Sequence, residues 1–494
     1  MSEKYIISID QSTQGTKAMA FDSFGTLVGR RDIPHRQIIN DQGWVSHDGE
    51  EIYKNTINAV KALVEAAGLN PMDIAGVGIS NQRETSLIWN KTSQKPLGNA
   101  VVWQCSRAAG VCQRVEASKP GIGEMVFSKT GLKLSPYFPA AKLAWLMENT
   151  PGAMELARKH ELCFGTIDTW LAFKLTSGKA YKTDASNASR TQLFNIFDQT
   201  WDREICRAFG IEPEDLPEVC GSDNCFGYTD FEGLLERPVP IHGVLGDSHA
   251  ALLGQGCLEP GMVKTTYGTG SSIMMNIGEQ PVLSGHGVVT SLAWKLKGKV
   301  NYVLEGNINY TGAVISWLKD DVGLISDPGQ TEGLCKTSAR QDGLYLVPAF
   351  TGLGAPYWNS EAKGILWGIT RTTGRAEIVR AGVECIAYQI ADVVFAMCQD
   401  SGMKIGELRV DGGPTKNDYL MQFQSDILNA NVLVPDCEAL SGTGAAYAAG
   451  FGLGIYDERI FEKQKRKMYA PAMEDAIREK KYKGWKMAVG KVIL

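Results

Sequence analysis

The stretch Tyr5 to Asp22, YIISIDQSTQGTKAMAFD, does most to narrow what this chain can fold into. A β-branched, apolar run (Tyr5, Ile6, Ile7, Ile9) ends on Asp10, a turn follows through Gln11, Ser12, Thr13, Gln14 and Gly15, and a second run returns through Ala18 to Phe21. The pattern predicts a β-hairpin whose tip carries a carboxylate, hydroxyls and a glycine. Such a tip can turn backbone N–H groups and hydroxyls toward phosphate oxygens while the carboxylate holds a hydrated Mg²⁺. An ordinary polar turn is the plain alternative. A second copy of the design weighs against it: Val263 to Asn276, VKTTYGTGSSIMMN, is again strand, Thr/Gly/Ser turn, strand. With 54 glycines in 494 residues, chance supplies roughly six G-x-G triplets, so Gly268-Thr269-Gly270 says little by spelling. Two hydroxyl-rich hairpins, one opening each half of the chain, say more. They suggest two similar halves gripping one phosphate chain, as in a bilobal phosphotransferase.

A chain of 494 residues is too long for one core, and we divide it into two α/β domains, 1–252 and 253–494. A net charge of −5 argues against a nucleic-acid partner, which leaves a basic footprint. The start MSEKYIISID lacks the charged and long apolar regions of a signal peptide, and no apolar run is expected to reach the length of a membrane span. The 11 cysteines are scattered, and Cys220 with Cys225 lacks zinc-site spacing. They read as reduced thiols of a cytoplasmic protein. The 6 histidines show no ligand spacing either, and no structural metal is expected.

Along the chain, Asp48-Gly-Glu-Glu51 resembles a capping box ahead of a helix that carries Tyr53, Ile57, Val60 and Val64 and stops at Gly68. Ile74 to Ser80 predicts a strand leading into Asn81-Gln82-Arg83-Glu84-Thr85. Ligands bind at the carboxyl ends of such strands in α/β folds, which makes Arg83-Glu84 a candidate clamp. A surface ion pair between the two neighbours is the alternative. Trp103 either packs in the core or walls a pocket for a polyol. Asp247 sits where the strand Val244–Gly246 turns into a helix; it is either a helix cap or the base that takes a proton from an attacking hydroxyl. In the second half, 301–305 predicts a strand, 306–318 a helix, and 376–398 a long apolar helix weakened at Gly382. Strand 407–410 then meets Asp411-Gly412-Gly413-Pro414, geometry that lets a backbone approach a base or ribose, and Asn417 starts a helix. Ser441 to Gly450 predicts a helix with a face of small residues. Neither a G-x-x-x-x-G-K-[ST] nor a strand followed by G-x-G-x-x-G occurs, which removes P-loop and dinucleotide-binding readings.

Together these residues resemble the FGGY family of carbohydrate kinases and, within it, the glycerol kinase branch. The resemblance runs from Tyr5 to about Lys486 and rests on NQRET (81–85), VVWQC (101–105), YFPAAKLAWLMEN (137–149) with Lys142 and Trp145, FGTIDTWL (164–171), TYGTG (266–270), PAFTGLGAPYW (348–358) and RVDGGPTKNDYLMQFQSDIL (409–428). It implies an actin/hexokinase-like (ribonuclease H-like) ATPase fold with a cleft between two domains, and the cofactors ATP and Mg²⁺. By the same resemblance, Asp10 and Asp247 would hold Mg²⁺. Thr13, Gln14, Lys17, Thr269, Gly312, Gly413 and Asn417 would bind the nucleotide. Arg83, Glu84, Trp103, Tyr137, Asp247, Ser248 and Ser272 would line the substrate site, with Asp247 as base. A small polyol or sugar is the implied partner, with no nucleic acid or membrane, and a homo-oligomer (dimer or tetramer) is consistent with it.

The chain departs from the branch in three places. Gly246-Asp247-Ser248-His249 stands where Gly-Asp-Gln-Gln is usual, Ser272 where an aromatic is usual, and Asp10-Gln11-Ser12 where Asp-Gln-Gly is usual. Smaller side chains at 248 and 272 enlarge the pocket, so the expected acceptor is a four- or five-carbon polyol or a ketose such as xylulose, with glycerol itself as the alternative. Two other classes compete. Gly246 to Ala250 nearly spells the G-x-S-x-G elbow of a hydrolase, and a non-catalytic sugar sensor could be built on the same fold.

Overall fold

Apolar alternation in the first hairpin builds directly into a sheet. In the computed structural model, which describes residues 4–338, 343–437 and 439–493, Tyr5–Gln11 pairs antiparallel with Gly15–Phe21, from Ile6 opposite Phe21 to Gln11 opposite Thr16. These are the fourth and fifth strands of a six-stranded sheet ordered Gly227–Thr229, Val239–Gly246, Ile74–Asn81, Tyr5–Gln11, Gly15–Phe21, Leu27–Pro34. Val239–Gly246, Ile74–Asn81 and Tyr5–Gln11 run parallel, and their register sets Asp10 beside Ser80 and Gly246 beside Asn81. Their carboxyl ends therefore deliver Asp10, Arg83 and Asp247 to one edge, where open α/β sheets place ligands. All three strands are buried almost throughout, as parallel strands covered on both faces must be.

Much of that cover comes from the far end of the sequence. The small-residue helix Leu440–Gly452 lies on this first sheet and on helix Asp247–Gly254. A Cβ on Gly444 would sit 1.8 Å from the Ala250 carbonyl oxygen, so the close crossing requires glycine there. The second sheet has seven strands, ordered Val289–Leu296, Lys299–Ile308, Ser271–Gly278, Met262–Tyr267, Glu407–Gly412, Asn431–Pro435, Arg466–Tyr469. Thr266 pairs with Asp411 and Tyr267 with Gly412, which sets the Gly268-Thr269-Gly270 tip beside the double glycine. A five-stranded sheet that includes Ser86–Asn90 and Leu162–Thr166 flanks the first half.

The structure corrects several expectations. The strand predicted over 301–305 runs through Lys299–Ile308, and the helix starts only at Gly312. Gly306 lies within the strand because its missing Cβ, which would fall 2.5 Å from Val393 Cγ1, lets the strand settle on the long helix. That helix, Arg375–Ser401, also overturns the expectation that no apolar run reaches membrane-span length. It is long and apolar enough, with a mean hydropathy of 1.5, but 89% of that window is buried in the protein as the spine of the second core. At Gly49–Ala66, Asp48 caps the helix as read, accepting from the Glu50 and Glu51 N–H groups. Glu51, however, accepts from the Arg36 N–H at 3.1 Å instead of closing the box.

Next to the first hairpin, His35 and His47 meet edge to face with ring centroids 4.7 Å apart. Burial, with the neighbouring His47 adding to it, pushes His35 from 6.5 down to about 4. The unfolded chain therefore binds a proton that the folded one refuses across this interval, and stability must fall as pH drops through it. The parent is expected to lose melting temperature relative to His35→Phe between pH 6.5 and about 4. Parallel curves for the two proteins would contradict this account.

Candidate active site

Between the two sheet edges lies a cleft of about 1180 Å³, lined from both halves of the chain. Its deepest feature is a buried network of charge. Arg83, held at the end of Ile74–Asn81, donates from Nε to Asp247 Oδ1 at 3.1 Å. Its Nη1 and Nη2 reach both oxygens of Glu305 at 2.8 and 2.7 Å, a bidentate pair across 222 residues of sequence. Arg190 continues the network, with Nε on Glu84 Oε1 at 2.7 Å and Nη1 at 2.9 Å from Glu305 Oε2. Glu84 enters it with a left-handed backbone, φ 59°, which turns its side chain away from that of Arg83. The two guanidiniums outweigh the desolvation of Glu305 and hold its carboxyl far below the usual range.

Asp247 is the first residue of helix Asp247–Gly254, with Gly246 at the cap position, so it is not the helix cap. Its Oδ1 also accepts from the Ser248 N–H at 2.7 Å, while among the described residues Oδ2 has no hydrogen-bond partner. The side chain is 34% exposed and lines the cleft, whose walls withdraw it from bulk water. That desolvation is the largest influence on its carboxyl and leaves it above the usual aspartate value, despite the opposing pull of Arg83. A carboxylate in that condition suits a general base.

An aromatic wall faces this network. The Trp103 indole N–H donates to Thr13 Oγ1 at 2.9 Å, tying the wall to the hairpin tip. Tyr137 meets Trp103 edge to face at 5.7 Å. Behind it the buried Lys142 ammonium donates to the Tyr137 carbonyl and lies 5.6 Å from its ring. Burial brings Lys142 down to about 7. On the other side, Ser272 donates to Ser248 across 3.4 Å. His249 is buried with Nε2 3.2 Å from Ser291 Oγ, so this histidine is not engaged with Ser248 as a hydrolase elbow would require.

Thus Thr13, Gln14, Arg83, Glu84, Trp103, Tyr137, Asp247, Ser248, Thr269 and Ser272 converge on the cleft. Asp10, Lys17, Gly312, Gly413 and Asn417 do not line it. Lys17 is paired with Asp10 at 2.9 Å, and Ser80 donates to Asp10 at 3.1 Å. Gly312 packs its N–H on the Gly268 carbonyl at 2.9 Å. Asn417 caps helix Asp418–Leu428 through Leu420 N–H and donates to Thr331 at 3.0 Å. Gly413 is open, with no atom within 4 Å of where a Cβ would be. The surface ion pair between Arg83 and Glu84 is not formed: both are buried and each pairs elsewhere. Sequence reading missed Glu305, Arg190 and Lys264; the one available signal was an acid at the end of the strand predicted over 301–305.

No cluster of three or more His, Cys, Asp or Glu that could hold a metal by itself occurs among the described residues. Asp10 and Asp247 are hard oxygen donors close enough for the charge of one to raise the other. That set fits Mg²⁺, which is bound through one or two carboxylates together with substrate phosphates and water.

Two α/β halves, each presenting a hydroxyl-rich hairpin to a cleft with a poised carboxylate, define the class as a phosphotransferase acting on an alcohol. Comparison with known proteins agrees. Residues 5–254 match the FGGY family of carbohydrate kinases, N-terminal domain, and residues 263–453 match its C-terminal domain. Glycerol kinase 1 of Thermotoga maritima is 47% identical over 492 residues, covering 99% of each chain. A glycerol kinase of Caldanaerobacter subterraneus subsp. tengcongensis is 45% identical over 489 residues, covering 98% of each. The crystal structure of Plasmodium falciparum glycerol kinase with ADP superposes with a TM-score of 0.93 at 35% identity, covering 99% of this chain and 98% of that one. A ligand-bound xylulose kinase from Lactobacillus acidophilus shares the fold, with a TM-score of 0.88 at 22% identity, covering 99% of this chain and 97% of that one. The chain belongs to the FGGY family of carbohydrate kinases. It is an ATP-dependent kinase that phosphorylates a hydroxyl of a small polyol or sugar, which sets the non-catalytic sensor aside.

Proposed function

We propose that the chain is a glycerol kinase. The carrying observation is the Arg83–Asp247 contact inside the cleft, walled by Trp103 and Tyr137; the glycerol kinases at 47 and 45% identity support the choice of acceptor. The expectation of a larger acceptor such as xylulose has less support. Ser248 and Ser272 do leave space, but the xylulose kinase shares only the fold at 22% identity.

In this reading Arg83, Glu84 and Tyr137 orient the hydroxyls and Trp103 covers the carbon skeleton. The acceptor oxygen forms a bond to the γ-phosphorus, the bond from that phosphorus to the β–γ bridging oxygen breaks, the hydroxyl proton passes to Asp247, and ADP leaves. Arg83 fixes the angle of the accepting carboxylate. Thr13, Gln14 and Thr269 grip the phosphate chain from the two tips, with Lys17 beside the first, while Gly312, Gly413 and Asn417 border the rest of the nucleotide. Asp10 and Asp247 would hold Mg²⁺, and the chemistry supplied there would be neutralisation of charge on the phosphates. Positioning and charge then account for the chemistry. The substrate-side unit 1–252 and the nucleotide-side unit 253–494 would close on each other, excluding water. The 11 free cysteines accord with a cytoplasmic setting.

Initial-rate measurements over glycerol, dihydroxyacetone, erythritol, arabitol, ribulose and xylulose test the acceptor. Glycerol is expected to have the highest kcat/KM, by about tenfold or more, as a pocket built to hydrogen-bond specific hydroxyls discriminates against the wrong ones. A preference for xylulose or erythritol would restore the larger-acceptor reading.

A further inference from the structure

Lys264 lies in Met262–Tyr267, the strand that runs into the Gly268-Thr269-Gly270 tip. Strand alternation puts Lys264, Thr266 and Gly268 on one face, and all three line the cleft. The residue is 1% exposed, yet among the described residues its ammonium has no hydrogen-bond or ion-pair partner. Charged groups surround it: Asp411 from the neighbouring strand, Asp247 and Arg83 from the opposite wall, and Glu305 from its own sheet. Asp411 is likewise left with a buried, unbonded Oδ1. Burial draws the Lys264 ammonium below the ordinary lysine value, against the upward pull of these carboxylates. A lysine kept for structure would be joined to one of them. An ammonium largely withdrawn from bulk water, with no protein partner and opening only on the cleft it lines, costs the fold stability, and such groups in native proteins call for a ligand or a catalytic task.

We propose that Lys264 is a phosphate-binding residue of the transfer reaction, its ammonium meeting oxygens of the nucleotide phosphate chain held at the Gly268-Thr269-Gly270 tip. The inference rests on the kinase reading above and adds a cation to the two hairpins. A compact ammonium on a flexible stem acts on phosphate as a point charge. Phosphoryl transfer depends on charge placed this way, and no residue on the nucleotide-side wall supplies it among those the resemblance implied.

The test is Lys264→Met, which keeps most of the volume and removes the charge, read by melting temperature with and without ADP and by steady-state kinetics. The variant without nucleotide is expected to melt at or above the parent's temperature, since an unpaired buried charge is gone. The rise in melting temperature on adding ADP should shrink, and kcat/KM for ATP should fall about 10²-fold. A variant that melts lower than the parent, or one that keeps both the ADP-induced rise and kcat/KM within about twofold, overturns the proposal. Turnover by the parent separates the two readings. A parent that transfers no phosphate to any acceptor defeats the kinase reading, whereas an active parent matched by Lys264→Met defeats this inference alone.

Discussion

Replacing Asp247 with asparagine is expected to lower kcat about 10²- to 10⁴-fold, the range that a positioned base contributes. The substitution removes the proton-accepting group together with the charge that Asp247 would offer Mg²⁺. Asparagine retains an oxygen for the Ser248 N–H and Arg83 Nε bonds that the aspartate makes at 2.7 and 3.1 Å, so the corner and the guanidinium keep their places. What disappears is the carboxylate charge and its capacity to take the hydroxyl proton. Melting temperature and KM for the acceptor should change little. The pH profile supplies a second reading. Desolvation by the cleft raises the Asp247 carboxyl above the ordinary aspartate value, so the parent's kcat/KM should begin to fall on acidification at a higher pH than an exposed aspartate would give. The residual activity of the asparagine variant should lack that limb. A loss smaller than about threefold would mean that the proton leaves by another route.

The largest effect on stability is expected from Glu305→Gln. Glu305 is fully buried and is the point at which the guanidiniums of Arg83 and Arg190 converge. Glutamine removes the charge and leaves two buried cations facing each other. Breaking one partner out of a buried ionic network costs about 3–5 kcal/mol, and unfolding in denaturant should show a loss of that size. The sign with pH follows from the depressed Glu305 carboxyl. The unfolded group titrates near pH 4.3 and the folded one lower, so its stabilisation is complete above about pH 4.3 and is lost as pH falls toward the folded value. Stability of the parent should therefore decline more steeply in acid than that of Glu305→Gln. Since Arg83 and Arg190 belong to the first half of the chain and Glu305 to the second, the same variant should loosen the register of the cleft. A cost below about 1 kcal/mol would show that the network is dispensable to folding.

Local pattern carried the sheets and the hairpins. Apolar β-branched runs on either side of short Gly-rich turns are sufficient to specify Tyr5–Gln11 with Gly15–Phe21 and Met262–Tyr267 with Ser271–Gly278. Asp247 was legible as a candidate because a carboxylate at a strand-to-helix corner has few roles; the structure decides against the capping role by setting Gly246 there and puts Asp247 on the cleft wall. The partners that make the site work were not legible. Arg83 and Glu305 are 222 residues apart, and a buried ion pair over that distance leaves no periodicity in either segment. Glu84 with Arg190 is the same case at 106 residues. Gly306 misled for a related reason: its value lies in contact with Val393 on a distant helix, whereas locally a glycine reads as a strand breaker. The larger-acceptor reading drew on Ser248 and Ser272 alone, and the relatives at 47 and 45% identity favour glycerol instead.

The most direct test of the account is the stoichiometry of transfer: purified protein, ATP, Mg²⁺ and glycerol, with ADP and phosphorylated glycerol quantified in the same reaction. The expected result is one phosphorylated glycerol for each ADP, negligible ADP without an acceptor, and loss of both products together in Asp247→Asn. ADP release that continues without an acceptor, or that yields no phosphorylated glycerol, would contradict it.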